Sequence, residues 1–163
     1  MNLLVGIKKM NWSRLGSLLR LCLSHPLYVI PSYTATRKTV AVCDTEFGNK
    51  HHQNGKANAF RHALWNALII LKSIRWGAAP LRAAAWAKKL TDWHEEFSPN
   101  TPLAEAMDLH NNRIGRDYAL TYPKVSELQM IQLIFALIPL SRKHPAIASL
   151  THFPNQLAHI EDD

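Results

Sequence analysis

Cysteine is scarce in this chain. Cys22 and Cys43 are the only two among 163 residues, and no C-x-x-C pair occurs. A thiolate zinc site and a disulfide scaffold are therefore not expected, and the expected compartment is reducing and cytoplasmic. Long apolar runs are missing as well. The opening "MNLLVGIKKMNWSRLGSLLRLCLSHP" is too broken by charge to span a bilayer. It also lacks the basic start, apolar centre and small-residue cleavage site of a signal peptide. There is no internal repeat, no low-complexity tract and no linker. Without a helix-turn-helix pattern, a zinc finger or an aromatic platform, nucleic acid is not the expected partner.

What is present suits a folded domain. Hydrophobic residues make up 47% of the chain, which is typical of a globular protein and allows one domain over 1–163 with a real core. The net charge is +7 with histidine neutral, and nine histidines add to it at lower pH. This balance suits an anionic partner such as a phosphate-containing small molecule or a lipid surface. It names none, because Lys and Arg are spread along the chain.

Helical signals dominate. A first helix fits roughly 12–24, before Pro26, and "PLYVIP" reads as an extended connector. The first helix is expected to pack on the domain, with peripheral membrane contact through "LGSLL" between Arg14 and Arg20 as the alternative. Further helices fit about 32–47, 57–76 and 80–97, punctuated by Gly48, Gly77 and Pro80. "SPNTP" breaks the chain, and Thr101 caps a helix to about 119. The last helix, about 124–142, carries "LIFALI" and is expected at the centre because it is apolar on nearly every side. The tail from Pro145 is expected to dock loosely. The fold expected is a compact all-α domain of roughly five to seven helices.

Three helices carry polar clusters beside their apolar faces. On the third, Asn58, Arg61, His62 and Asn66 share one side, yet Trp65 and Ile69 lie among them, so something covers that side. On the fourth, Trp86, Leu90, Trp93 and Phe97 define the expected core face. His94 flanks that face, and Glu95 falls near the solvent boundary. On the fifth, Asp108, Asn111, Asn112 and Gly115 form a stripe at spacings of three, four and seven. Asp and Asn are poor interior helix formers, and Gly costs about 1 kcal/mol relative to Ala. Rule-breaking concentrated in one stripe points to a site, although Gly115 could instead permit a close helix crossing.

These residues resemble a bacterial family of uncharacterised helical domains. The signature is Ala59-Phe60-Arg61-His62-Ala63-Leu64-Trp65-Asn66-Ala67, then His94-Glu95, then Met107-Asp108-Leu109-His110-Asn111-Asn112 with Gly115-Arg116, over about residues 40–118. Members resemble one another as small stand-alone proteins and as C-terminal modules of polymorphic-toxin-like chains. That setting implies an activity directed at another molecule; the resemblance supplies residues and no reaction.

Three functions remain open. In a metal-assisted hydrolase, His62, His94 and Asp108 would hold zinc or another divalent ion, and Glu95 would be the general base. Asn66, Asn111 and Asn112 would orient ligands or substrate there, and Arg61 and Arg116 would bind a phosphate. No H-E-x-x-H motif supports the metal. In a metal-free enzyme, His62 or His94 would be the acid/base and Glu95 its orienting partner, with Cys43 as a remote nucleophile candidate. In a binding domain without catalysis, the same groups would form a buried network that fixes helix register. All three rest on the clusters meeting in one cavity.

Overall fold

The computed structural model describes residues 12–97 and 100–162. Residues 1–11, the Ser98-Pro99 part of the chain break and the last residue of the acidic terminus lie outside the described residues. The described helices are α1 (Trp12–Ser24), α2 (Pro26–Phe47), α3 (Lys56–Arg75), α4 (Pro80–Glu96), α5 (Pro102–Thr121) and α6 (Glu127–Phe135). Short 3-10 turns cover Gly48–His52, Ile138–Leu140 and Ile147–His152. The fold is all-α, apart from one two-residue parallel pair, β1 (Arg142–Lys143) with β2 (Ala158–His159).

The centre belongs to α3, which contacts α2, α4, α5 and α6. Its Ala57, Ala59, Ala63 and Ala67 are buried together with Phe60, Leu64 and Leu68–Leu71. Small residues let four neighbours approach closely, and the large ones fill the gaps between them. The expectation that "LIFALI" would sit at the centre is corrected. Helix α6 ends at Phe135, with Met130 and Ile134 buried but Leu128 and Phe135 exposed. Apolar residues on every side mark a helix that can be buried; small residues on α3 decide which helix is.

The proline-bounded connector is also corrected. Pro26 starts α2 and Pro31 lies inside it. Pro26 sits at a first-turn position, where its missing N–H costs nothing. Pro31 removes one bond early in a long helix, and the buried row Ser32, Ala35, Thr39 and Cys43 holds the rest in place.

The tail is not loose. Leu157, Ala158 and His159 are buried, and the side chain of Asn111 on α5 binds the backbone of Ala158 in both directions. Its Nδ2 donates to the carbonyl at 2.9 Å and its Oδ1 accepts from the N–H at 2.9 Å. This is what a neighbouring strand would offer, so one amide side chain anchors the parallel pair. Replacing Asn111 with Ala leaves a buried N–H and C=O unpaired, at a cost of about 2–3 kcal/mol. Limited proteolysis is expected to cut the segment after Ser141 faster in Asn111→Ala; unchanged protection would count against the anchoring role.

Candidate functional site

Gly115 on α5 sets the site's position. A Cβ built there would stand 1.9 Å from the Ala63 carbonyl oxygen, so the α3 and α5 backbones touch at this point. Within two turns of this crossing along each helix, His62 and Asn66 meet Asp108 and Asn112. Helix α4 closes the third side. Its buried row is Ala83, Ala87, Thr91 and Glu95, each four residues on. Of the expected α4 core face, Trp86 is buried and Leu90 and Trp93 pack against the core, but the placing of Glu95 near solvent is corrected. Leu90 and Trp93 are half-buried, whereas the small side chains turn toward α3 and carry Glu95, only 4% exposed, inward with them.

The polar groups divide into a satisfied half and an unsatisfied one. Asn112 is the hub of the first. Its Nδ2 donates to Glu95 Oε1 at 3.0 Å, and its Oδ1 accepts from Asn66 Nδ2 at 2.6 Å. Asn66 Oδ1 in turn accepts from Arg116 at 3.1 Å and lies 3.2 Å from the Thr91 hydroxyl. Burial by itself would raise the Glu95 carboxyl; hydrogen bonds from His62 and Asn112 outweigh it and hold the group below the usual carboxylate range.

His62 links the halves. Arg61 Nη2 lies 2.9 Å from His62 Nε2, and a guanidinium can only donate, so Nε2 is the acceptor. The ring proton is therefore on Nδ1, which faces Asn112 Oδ1 at 3.2 Å and Glu95 Oε1 at 3.3 Å. On the other side, Nε2 stands 3.4 Å from Asp108 Oδ1, a buried oxygen with no hydrogen-bond donor among the described residues. Two acceptors thus face each other. Asp108 Oδ2 accepts from Asn100 Nδ2 at 3.2 Å. Burial, reinforced by the Glu95 charge against the pull of His62 and Arg61, pushes the Asp108 carboxyl up to about 6.

The other expected residues fall around this centre. His94 is half-buried beside the cluster, its ring edge-on to Trp65 with centroids 5.1 Å apart. Burial lowers it to about 4, so it is neutral at ordinary pH. Among the described residues, His62, Glu95 and Asp108 bring possible ligand atoms within 4.8 Å of one another, so Glu95 takes the place that His94 was expected to fill. Asp44, His51 and His52 form a second such group, with His51 Nε2 already 2.8 Å from Asp44 Oδ1. Arg61 is beside the carboxylates, while Arg116 reaches the network from behind Asn66. Asn111 serves the tail. Cys43 is buried and its thiol is pushed up to about 12, which makes it a poor nucleophile.

Thr91 and Asn100 were not expected. Thr91 had a signal, since it lies four residues before Glu95 on one helix row. Asn100 had none, because its reach to Asp108 depends on how the chain re-enters α5.

A family model described as "Domain of unknown function (DUF6973)" matches residues 19–140, about three quarters of the chain. No curated protein and no solved structure matches it.

Proposed function

The chain belongs to the DUF6973 family, and from the site's geometry we propose that it is a hydrolase of an anionic, phosphoester-type substrate. The observation that carries this reading is the pair of facing acceptors, His62 Nε2 and Asp108 Oδ1, 3.4 Å apart and buried. Such a pair holds a proton between its members, and which member carries it can change as charge shifts nearby. Once Arg61 turns from Nε2 to the substrate's negative charge, His62 Nε2 takes a proton from the attacking water, with Glu95 holding the ring through Nδ1–H. Asp108 acts in its protonated form, which the rise of its carboxyl to about 6 keeps populated in mildly acid solution, and gives its proton to the leaving oxygen as the ester bond breaks. His62 then returns its proton to Asp108, which closes the cycle. Arg61 contributes a desolvated cation beside the pair, which favours a substrate with negative charge.

A divalent metal is the second reading, favoured by the donorless Asp108 oxygen and by the proximity of Glu95. A metal on Nε2 has to displace the Arg61 hydrogen bond and tolerate its charge. The proton reading therefore comes first.

The test uses purified protein with p-nitrophenyl phosphate and its diester, together with metal analysis. Wild type is expected to turn over one of them, and His62→Gln to lose at least about a hundredfold with an unchanged melting curve. Turnover abolished by a chelator and restored by Zn²⁺ or Mn²⁺ would favour the metal reading over the proton one. No turnover of either ester under any of these conditions, or equal rates in His62→Gln, overturns the hydrolase. Unfolding of His62→Gln and Asp108→Asn alike would assign the cluster to a structural network.

A further inference from the structure

Helix α1 is amphipathic, but its apolar side faces away from the protein. Trp12, Leu15, Leu19 and Leu23 recur at intervals of three and four, which places them on one stripe. All four are exposed, Trp12 at 90% and Leu23 at 71%. The opposite side does the packing: Leu21 is buried, and Ser17 Oγ accepts from Trp93 Nε1 at 2.8 Å. The pattern continues in α2. Leu27, Ile30 and Tyr33 are exposed on one side, while Ser32 Oγ accepts from Trp86 Nε1 at 2.8 Å on the other. Tyr28 stacks on the same indole at 5.3 Å.

Trp86 and Trp93 are seven residues apart on α4, so they form one seam. Both N-terminal helices meet that seam through the sides opposite their apolar stripes, which leaves both stripes exposed. Leu27 and Tyr28 also share a cleft with Trp76 and Arg82, which adds another exposed indole and a cation. A surface of this size marks an interaction face.

The charge distribution says what it meets. Residues 1–43 contain six Lys and Arg and no Asp or Glu, so they supply six of the seven net positive charges. Arg20, Arg37 and Lys38 are exposed on these two helices. No helix among the described residues is long and apolar enough to cross a membrane. Apolar side chains that include an indole and a phenol, on a stretch of chain that carries cations and no anion through residue 43, suit the plane between headgroups and acyl chains.

We propose that the outer face of α1 and the first turns of α2 is a docking surface for an anionic lipid membrane, lying in the interface without spanning it. Leu and Trp side chains enter the acyl boundary, while Arg20, Arg37 and Lys38 meet headgroup phosphates. This surface is distinct from the His62–Asp108 centre and independent of its chemistry.

The experiment is co-sedimentation of the full chain with vesicles. Binding is expected to an equimolar mixture of phosphatidylglycerol and phosphatidylcholine and not to phosphatidylcholine alone. Leu19→Asp with Leu23→Asp is expected to lower partitioning at least about tenfold. Arg20→Gln, Arg37→Gln and Lys38→Gln together are expected to lower it on the order of a hundredfold. These side chains are exposed, so melting curves should be unchanged, and the two variants fail or pass independently. Equal sedimentation with both vesicles, or none with either, overturns the proposal. So does light scattering that shows a dimer broken by the paired Leu→Asp change, which would give the face to a second copy of the chain.

Discussion

Gly115→Ala is expected to be among the most damaging single changes in the protein. The added methyl group meets backbone at 1.9 Å from the Ala63 oxygen and 2.8 Å from its Cα, not the yielding end of a side chain. Helices α3 and α5 can relieve this only by separating, and the residues nearest the contact are the ones that build the centre. Overpacking of this kind costs about 3 kcal/mol. For a chain of this length that lowers the melting temperature by roughly 6–12 °C. The propensity gain of Ala over Gly, about 1 kcal/mol, is too small to offset it. Ala63→Gly should not rescue the variant, because the clash is with the carbonyl and not with the Ala63 methyl. A Gly115→Ala protein that melts within about 2 °C of wild type would show that the crossing is looser than its geometry implies.

The same glycine shows how far the sequence can be read. Its placement in a stripe with Asp108 and Asn112 made it conspicuous, because three poor helix formers on one face oppose local stability. A close crossing and a polar site were alternative explanations for it. Both hold, since the crossing is what brings the stripe against His62 and Asn66. The polar side of α3 was legible for a similar reason: Trp65 and Ile69 among polar neighbours required a cover, and Trp65 Nε1 does donate to Thr36 on α2 at 2.8 Å.

Glu95 was not legible in its true position. Large aromatic residues drew the core face of α4 toward Trp93, but those indoles serve α1 and α2. The alanine row that faces α3 carries little hydrophobic weight and much geometric consequence. The exchange of His94 for Glu95 follows from that rotation of one residue. Helix α1 packs on the domain as expected, but through Ser17 and Leu21 and not through its apolar stripe. Periodicity reports that a helix has an apolar side, and packing alone reports whether that side meets protein. The tail escaped because its partners are remote in sequence: Asn111 does the work of a strand, and His110 and the Asn54 carbonyl hold the flanking residues.

Asp108→Asn is expected to make the protein more stable at neutral pH. In the unfolded chain this carboxyl ionises near its ordinary 3.8, and in the folded protein only near about 6. The folded state therefore binds the extra proton between those values. Its contribution to stability is full below about pH 4 and is lost as pH rises through 6. Above that, holding the ionised group buried opposite His62 Nε2 costs roughly 3 kcal/mol. An asparagine there carries no charge and keeps an acceptor for Asn100. Stabilisation of about 2–3 kcal/mol at pH 7, vanishing near pH 4, is the expected result in paired melting curves.

His94 makes the comparison sharper. Its value is depressed to about 4, so its contribution is present above about 6.5 and lost as pH falls toward 4. In the native chain these opposite slopes offset each other over much of the same range. Removing Asp108 takes away this counterweight, and the variant should lose about 3 kcal/mol more than wild type on acidification from pH 7 to pH 4. A protein that keeps an ionisable group at such cost gains something other than stability from it, as functional sites commonly do. Should Asp108→Asn instead destabilise the protein at pH 7, the carboxylate is an anchor for its neighbours. His62 would then have no acid facing it, and the proton pair on which the hydrolase rests would be gone.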